Sequence, residues 1–300
     1  TIQNNIISGC SSWGLYLAGN NAATVSGNSV SNSTGGCYWG GGCSGSFNNN
    51  TLGQNNQAYQ AAADLAVTFS GNTVSGTGFK GLNVFGTMTA NKTWSPSQLT
   101  AMGLQPLYYI VDDVTVAGGV KLTIEAGTVV KFARRRTSDS WEEVKLIVQG
   151  ALWAQGTSGN KIYFTSIDDP TVGGSSGGDG VPDSTDWGWI EFQGSSDDAN
   201  CLLEYCVLRY AGNDWWNYNG WDNRRNENYA IRCSEASPTI RNCEFSQCRG
   251  GVYVNNGSVA VRHSTFDTVP TTAVYYELGS VFGLRPVVNG CQFKGCSTGI

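Results

Sequence analysis

Five aspartates share one glycine-rich stretch of the chain, a composition that suits a hard cation. They are Asp168, Asp169, Asp179, Asp183 and Asp186, which we call the acidic loop. Carboxylate oxygens are the ligands that Ca²⁺ prefers, and the ion takes six to eight oxygens. The spacing does not follow an EF-hand loop, so a solvated acidic loop without metal is the simpler alternative. The sequence therefore predicts Ca²⁺ as the one cofactor to consider, and leaves that alternative open.

A second polar stretch, residues 213–229, interleaves aromatic side chains with amides and arginines. Aromatic rings stack on sugar rings, and amide and guanidinium groups hydrogen-bond sugar hydroxyls. The other interpretation is that these aromatics pack the loop against the rest of the protein. The candidate carbohydrate-binding residues are Trp215, Trp216, Tyr218, Trp221, Arg224 and Arg225.

Three consecutive arginines, Arg134 to Arg136, suggest a third kind of chemistry. Beside Ca²⁺ and a base, such cations could bind an acidic sugar and help a polysaccharide lyase to remove a proton. The arginines precede Glu142 and Glu143, however, so a surface cluster of ion pairs is the favoured alternative. A secreted lyase therefore remains an alternative hypothesis.

Other catalytic groups are sparse. A glycoside hydrolase needs two carboxylates ~5–9.5 Å apart, and Asp183 with Asp186 is one arbitrary pair among five nearby acids. The single histidine, His263, is predicted to occupy a turn rather than a catalytic site. Whether the protein is an enzyme stays open, and a non-enzymatic role is favoured.

Ten cysteines indicate an oxidising compartment, although several fall on a repeated position. Cys37 and Cys43 bracket a glycine-rich loop, while Cys206 and Cys243 occupy the same position of successive repeats. Stacked strands bring equivalent Cα atoms ~4.8 Å apart, inside the disulfide range, but parallel side-chain vectors disfavour a bond. Both pairs are disulfide candidates, and buried thiols filling a column are the alternative.

A short repeat positions these groups. An apolar residue is followed by an Asn and then by a second apolar residue, with the second apolar residues 22 or 23 positions apart. This period is typical of a solenoid in which each coil of short strands covers the previous one. A Gly-apolar-X-apolar strand usually follows each repeat, as at residues 14–17 and 251–254. The repeated Asn residues are Asn5, Asn28, Asn50 and Asn72.

Composition supports a coil of strands and excludes some partners. The chain has 40 glycines, 7 prolines and 14% charged residues, as expected for strands joined by tight corners. A net charge of −5 argues against nucleic acid, which requires a basic surface. No stretch approaches the ~20 apolar residues of a membrane-spanning helix.

The central part of the chain resembles a known group. Residues 114–132, 146–152 and 162–166 look like the opening rungs of bacterial extracellular right-handed parallel β-helix proteins, and residues 187–192 and 203–212 are similar to the rungs that follow. The flanking repeats resemble pectate-lyase-type rungs with a stacked Asn ladder. The resemblance implies an extracellular or cell-surface location, but this fold hosts lyases, hydrolases, adhesins and fibres alike.

We therefore predict an all-β, right-handed parallel β-helix with one short helix and two long loop insertions. Residues 1–92 are predicted to form rungs with the Asn ladder, and residues 106–300 a second β-helix segment, stacked into a continuous or tandem solenoid. Residues 93–105 connect or cap them, because Ser95 and Pro96 are typical of a helix start.

The repeats also run to both ends of the chain. Cys10 and Cys296 would share a column if the C-terminal rungs stacked on the N-terminal ones, so we name them as candidates for an end-to-end seam. One hypothesis is a period of a head-to-tail fibre, with copies of the chain as partners, and the alternative is a single trimmed protein. The predicted function is an extracellular structural or surface protein, with polysaccharide as a second candidate partner.

Overall fold

A computed structural model describes residues 1–19, 22–134, 143–174, 177–212, 229–279 and 283–300. Nearly every regular element among them is a short strand that pairs in parallel with the strand one coil away. Parallel pairing of successive coils is the defining feature of a β-helix, in which each coil is a rung.

The N-terminal rungs contain thirteen strands and one helix. In chain order they are β1 (Ile2–Gln3), β2 (Ile6–Ser8), β3 (Trp13–Leu17), β4 (Ala22–Ser26), β5 (Ser29–Ser31), β6 (Gly35–Trp39), β7 (Ser44–Asn48), β8 (Thr51–Gly53), β9 (Gln57–Ala62), β10 (Ala66–Ser70), β11 (Thr73–Ser75), β12 (Phe79–Met88), β13 (Lys92–Trp94) and α1 (Pro96–Ala101).

The C-terminal rungs follow, with a single 3-10 turn at Asp198–Asn200 among their described residues. Their strands are β14 (Leu107–Val116), β15 (Lys121–Glu125), β16 (Val129–Phe132), β17 (Leu146–Val148), β18 (Ala151–Gln155), β19 (Ile162–Ser166), β20 (Ile190–Phe192), β21 (Leu202–Glu204), β22 (Cys206–Arg209), β23 (Ile231–Ser234), β24 (Thr239–Arg241), β25 (Glu244–Ser246), β26 (Val252–Asn255), β27 (Ala260–Arg262), β28 (Thr265–Asp267), β29 (Val274–Glu277), β30 (Val287–Asn289) and β31 (Gln292–Lys294).

Four parallel sheets run along the solenoid axis. The first sheet is β1-β4-β7-β10, and the second is β2-β5-β8-β11. The third sheet has 16 strands and includes β3, β6, β9, β12 and β14 before it continues through two branches of C-terminal strands. The fourth sheet, which starts at β13, contains one strand of each later rung. The third sheet thus connects both halves of the chain.

The predicted Asn ladder is present at the corner between the first and second sheets. The Oδ1 atom of Asn28 accepts from Asn5 Nδ2 at 2.9 Å, and the Oδ1 atom of Asn50 accepts from Asn28 Nδ2 at 2.9 Å. Asn72 closes the ladder by accepting from Asn50 Nδ2 at 3.3 Å. Each Oδ1 also accepts from the backbone N–H of the preceding Asn, so the ladder satisfies buried turn groups that no strand could pair.

The corner before each ladder position requires a left-handed backbone. Asn4 and Asn49 have φ of 56° and 55°, and Gly27 and Gly71 occupy the same corner of the other rungs. In the C-terminal rungs His263 takes this position with φ of 48°, which places it in a turn. The corner is therefore occupied by residues that tolerate positive φ, such as Gly, Asn and His, with Tyr205 (φ 49°) as the exceptional occupant.

The predicted helix is confirmed as α1. Ser95 caps it by accepting from Gln98 N at 3.2 Å, and Pro96 occupies its first turn. The helix follows the last strands of the first two sheets, and Ala101 O, at its end, accepts from Asn72 Nδ2 at 3.5 Å. The segment that contains α1 therefore supplies backbone acceptors to the end of the ladder.

Strand β14 joins the two halves of the solenoid. One edge of β14 pairs with β12, from Leu82 opposite Tyr108 to Met88 opposite Val116. Its other edge pairs with β16 near its start and with β17 near its end. It is a single strand of 10 residues, with a register shift opposite Val84 and Gly86.

The disulfide predictions are not met in the structure, where none of the ten cysteines forms a disulfide. Cys243 Sγ points at the carbonyls of Leu203 (3.4 Å) and Arg241 (3.3 Å), and Cys206 Sγ likewise contacts two carbonyls. Cys43 Sγ contacts the carbonyl of Leu17 at 3.5 Å, and Cys37 is buried in the core. Burial, together with the neighbouring Cys243 thiol, raises the pKa of Cys206, so these two stacked thiols lie near each other in the column without a bond between them. Cys10 and Cys296 are half-buried thiols in the first and last rungs.

Candidate functional site

The acidic loop is held by its own turns. Asp168 Oδ1 accepts from Asp179 N at 2.6 Å, and Asp169 accepts from Thr165 Oγ1 at 2.8 Å and from Thr171 N at 2.9 Å. Burial raises the pKa of Asp168. These contacts use carboxylate oxygens that a bound cation would otherwise occupy.

The end of the loop forms a partly buried ion cluster with an arginine. Arg134 lies 3.6 Å from the exposed Asp183 and 3.5 Å from the buried Asp186, so it contributes positive charge to the acidic loop. Burial raises the pKa of Asp186 to about 6. Its Oδ1 atom has no hydrogen bond in the described part of the chain, although Arg134 is near. Arg135, Arg136 and Glu142 lie outside the described residues.

A buried lysine anchors the other side of the loop. Lys131 is fully buried, and its Nζ donates to the carbonyls of Asp169 and Gly174, both at 2.6 Å. Burial lowers the pKa of Lys131 to about 8. Arg209 adds a second cation, 3.7 Å from Asp169 Oδ2. The loop is therefore charge-compensated by the protein itself.

Among the described residues no group of three or more acidic, His or Cys side chains has metal-holding geometry. The structure brings Asp168 to Asp179 and Asp183 to Asp186, but in both pairs a backbone N–H of one residue bonds the carboxylate of the other. Calcium binding therefore stays a prediction. The six candidate carbohydrate-binding residues from Trp215 to Arg225 lie outside the described residues and stay predictions as well.

A different set of polar and aromatic side chains forms a continuous line along the third sheet, exposed at its N-terminal end and buried where Lys131 and Thr165 contact the acidic loop. Register pairs successive members of neighbouring strands, and we call this line the outer column. The N-terminal part of the column consists of aromatic and amide side chains. Near the acidic loop the column includes a charged residue, Lys131. The members are Tyr16, Tyr38, Gln60, Asn83, Tyr109, Lys131 and Thr165.

The first members form an aromatic surface. Tyr16 is 65% exposed and stacks on Tyr38 with ring centroids 4.6 Å apart and planes 2° apart. Trp13 contacts Tyr38 from the side, and its indole occupies the space outside Gly35, where a Cβ would come within 2.1 Å of it. Phe85 continues the line 5.9 Å from Tyr38. Only a glycine at position 35 leaves room for the indole.

A groove of about 210 Å³ opens beside this surface at the corner leading into the third sheet. Phe79 and Tyr109 form its aromatic wall, with ring centroids 5.3 Å apart in an edge-to-face arrangement. Gln57 and Asn83 supply amides. The lining residues are Thr34, Asn56, Gln57, Phe79, Asn83 and Tyr109.

Asn83, which lines the groove, has a polar atom without a partner among the described residues. Asn83 is only 4% exposed, its Nδ2 donates to Gln57 Oε1, and its Oδ1 is a buried acceptor that no described residue hydrogen-bonds. Burial, reinforced by the nearby Asp168, raises the pKa of Tyr109. Its phenol therefore stays protonated at neutral pH and can donate.

The sequence contained a signal for this surface that the prediction missed. Four successive N-terminal strands share one variable position, the X of the Gly-apolar-X-apolar pattern. This position is a tyrosine at Tyr16 and Tyr38 and an amide at Gln60 and Asn83. Aligning that position alone would have shown the outer column. The wall formed by Phe79 and Tyr109 could not be found in this way, because it depends on the irregular register of β12 and β14.

Comparison with known families agrees with this architecture. Residues 1–94 match the family model described as a right-handed beta helix region. Together with the parallel sheets, this match defines the chain as a right-handed parallel β-helix, as the sequence predicted. No curated protein and no solved structure was found to match.

In the described ranges, no helix has both the length and the apolar character needed to cross a bilayer. The one α-helix there, α1, has 6 residues.

Proposed function

We propose that this β-helix is an extracellular or cell-surface scaffold that binds a polysaccharide along the outer column. The observation that carries the proposal is the exposed aromatic surface around Tyr16 and Tyr38, which leads into a groove lined by Gln57 and Asn83. Carbohydrate sites combine aromatic contact with a few fixed polar groups in this way. A solenoid supplies many such contacts at a constant spacing along an extended chain.

The groove favours an uncharged stretch of glycan. Its lining contains amides, a hydroxyl and aromatic rings, and neither lysine nor arginine. The negative charge of the Asp168 carboxylate acts on Tyr109, which lines the groove. A uronate in the groove would meet an acceptor, Asn83 Oδ1, and this negative charge, and both disfavour a carboxylate.

A glycan array containing neutral and acidic polysaccharides tests the proposal. The wild-type protein is expected to bind at least one neutral glycan, and Tyr38→Ala is expected to weaken binding by roughly tenfold, since aromatic contacts supply ~0.5–1.5 kcal/mol beyond area burial. The matched control is Tyr205→Ala, because Tyr205 lies at a corner of the C-terminal rungs and does not belong to the outer column. Release of reducing or unsaturated ends would favour an enzyme, and an array without any binding would contradict the proposal.

End-to-end association of copies is the second candidate, and it rests on the terminal rungs. Phe293 is half-buried in the last rung, whereas Phe245 and Phe266 in the same column are fully buried. In the first rung Ile2 and Ile7 are half-buried as well. A rung stacked on either end would cover these apolar groups.

Light scattering of the purified chain over a wide concentration range tests this candidate. Association is expected to grow with concentration and to be weakened by Phe293→Asp, which places a charge in the proposed contact. A particle that keeps the monomer mass at all concentrations would contradict end-to-end association, and so would association that Phe293→Asp leaves unchanged.

A further inference from the structure

Resting on the proposed polysaccharide binding, we infer that the groove beside β12 is a subsite for the acetamido group of an N-acetylhexosamine unit. The unpartnered Asn83 Oδ1 lies among a half-buried amide, a protonated phenol and an aromatic wall. An acetamido group offers one N–H for the Asn83 acceptor, one carbonyl for the phenol donor and one methyl for the aromatic wall.

The N–H is matched by Asn83. A buried acceptor without a donor is costly in the free protein, and a ligand donor that reaches it recovers this cost. The Oδ1 atom is buried beside Gln57, whose side chain accepts from the Nδ2 atom of the same Asn83 amide and makes no other hydrogen bond among the described residues. Rotation of the half-buried Gln57 side chain opens the path to Oδ1 and frees an amide for the ligand.

The carbonyl and methyl are matched by the opposite wall. The protonated Tyr109 hydroxyl can donate to the acetamido carbonyl, and Phe79, which is 8% exposed, provides an apolar ring for the methyl. Phe79 packs with Leu107 and Val129 in a separate apolar cluster on the outside of the sheet. A sugar hydroxyl would satisfy the acceptor but would leave this apolar wall without a matching group.

The size of the groove supports a substituent rather than a whole drug-sized ligand. A volume of about 210 Å³ corresponds to roughly seven water molecules at ~30 Å³ each. Pockets for drug-sized ligands occupy ~300–1,000 Å³. The pyranose rings would then lie along the aromatic surface, with one acetamido group entering the groove.

Chitotetraose and cellotetraose form the test pair, because they differ only in the acetamido or hydroxyl group at C2. Isothermal titration with the wild-type protein is expected to show chitotetraose binding about tenfold tighter. In Asn83→Leu this preference is expected to fall to about onefold to twofold. Asn289→Leu, an exposed Asn in β30, serves as the control that keeps the preference.

Tyr109→Phe separates ligand recognition from folding, because the Tyr109 hydroxyl makes no hydrogen bond within the described chain. Its thermal midpoint is expected to stay within about 3 °C of wild type while the preference for chitotetraose falls severalfold. Equal affinities for the two tetrasaccharides, or a preference that both variants retain, would overturn the acetamido subsite and leave polysaccharide binding intact. If neither tetrasaccharide binds, the subsite is overturned, and the array decides whether polysaccharide binding fails with it.

Discussion

The two halves of the solenoid use different side chains to bond the backbone carbonyls of the same corner. In the N-terminal rungs Asn28 Nδ2 donates to the carbonyl two residues before it and to Ile2 O on the preceding rung. In the C-terminal rungs Cys243 Sγ contacts the equivalent carbonyls of Arg241 and Leu203. The amide also accepts from the preceding rung through Oδ1, and the thiol has no comparable acceptor. The comparison shows that one corner geometry can be held by strong or by weak donors.

The halves differ in charge as well. The ladder consists of neutral amides, whereas the C-terminal half buries Lys131 and Asp186 next to its acidic loop. Buried charges make stability depend on pH, and amides do not. The C-terminal half is therefore expected to be the pH-sensitive part of the molecule.

The largest effect is expected for the ladder. Asn50→Ala removes the acceptor of Asn28 N and Nδ2 and the donor to Val25 O and Asn48 O, all of them inside the protein. Several buried groups then lose partners, and we expect a loss of about 3 kcal/mol in the free energy of unfolding. Denaturant titration measures it, with Asn289→Ala as the exposed control. A loss below about 1 kcal/mol would contradict the role of the ladder.

A smaller effect is expected from Asp186. Its folded pKa of about 6 lies above the unfolded value, so the folded state holds this proton more tightly. The stabilisation is present below about pH 4 and is lost as the pH rises through 6. The full pKa difference corresponds to about 3 kcal/mol, and because Arg134, 3.5 Å away, favours the ionised carboxylate, we expect a loss of about 1–2 kcal/mol. Asp186→Asn is expected to remove this component from the pH profile of stability. Identical profiles for wild type and variant between pH 4 and 7 would contradict the argument.

The thiol column is expected to contribute less than the ladder. Cys243→Ala removes two weak sulfur contacts and a small buried volume, so we expect a loss of about 1 kcal/mol. Cys243→Ser keeps a donor and occupies the role that Ser264 already has in the next rung, with Oγ bonded to Arg262 O at 2.9 Å. Thermal unfolding of both variants checks the order. A serine variant less stable than the alanine variant would contradict it.

No change at all is expected from a reductant. Because the ten cysteines are thiols, dithiothreitol should leave the thermal midpoint unaltered. Alkylation in denaturant without reductant, followed by mass measurement, should label all ten. Fewer labels would show that a disulfide forms in the isolated protein. The contrast between an amide ladder in one half and free-standing thiols in the other would then be weaker.

The sequence predicted those features that depend on spacing within one rung. The ladder positions Asn5 to Asn72 and the capped helix at Ser95 were found because their signals lie within a few residues. The groove was missed because Phe79 and Tyr109 meet only through the register of β12 and β14. The disulfide pairs had suitable spacing, but the direction of each thiol depends on the corner backbone, which sequence spacing does not describe.

Strand β14 also determines how a load would pass along the molecule. Its hydrogen bonds to β12 on one side, and to β16 and β17 on the other, make it a shared member that transmits tension between the halves together with the β13–β15 pair. Pulling along the axis peels such bonds in sequence, whereas shear parallel to the strands loads all of them together. A rod built in this way yields first at its end rungs and last at the strand in its middle.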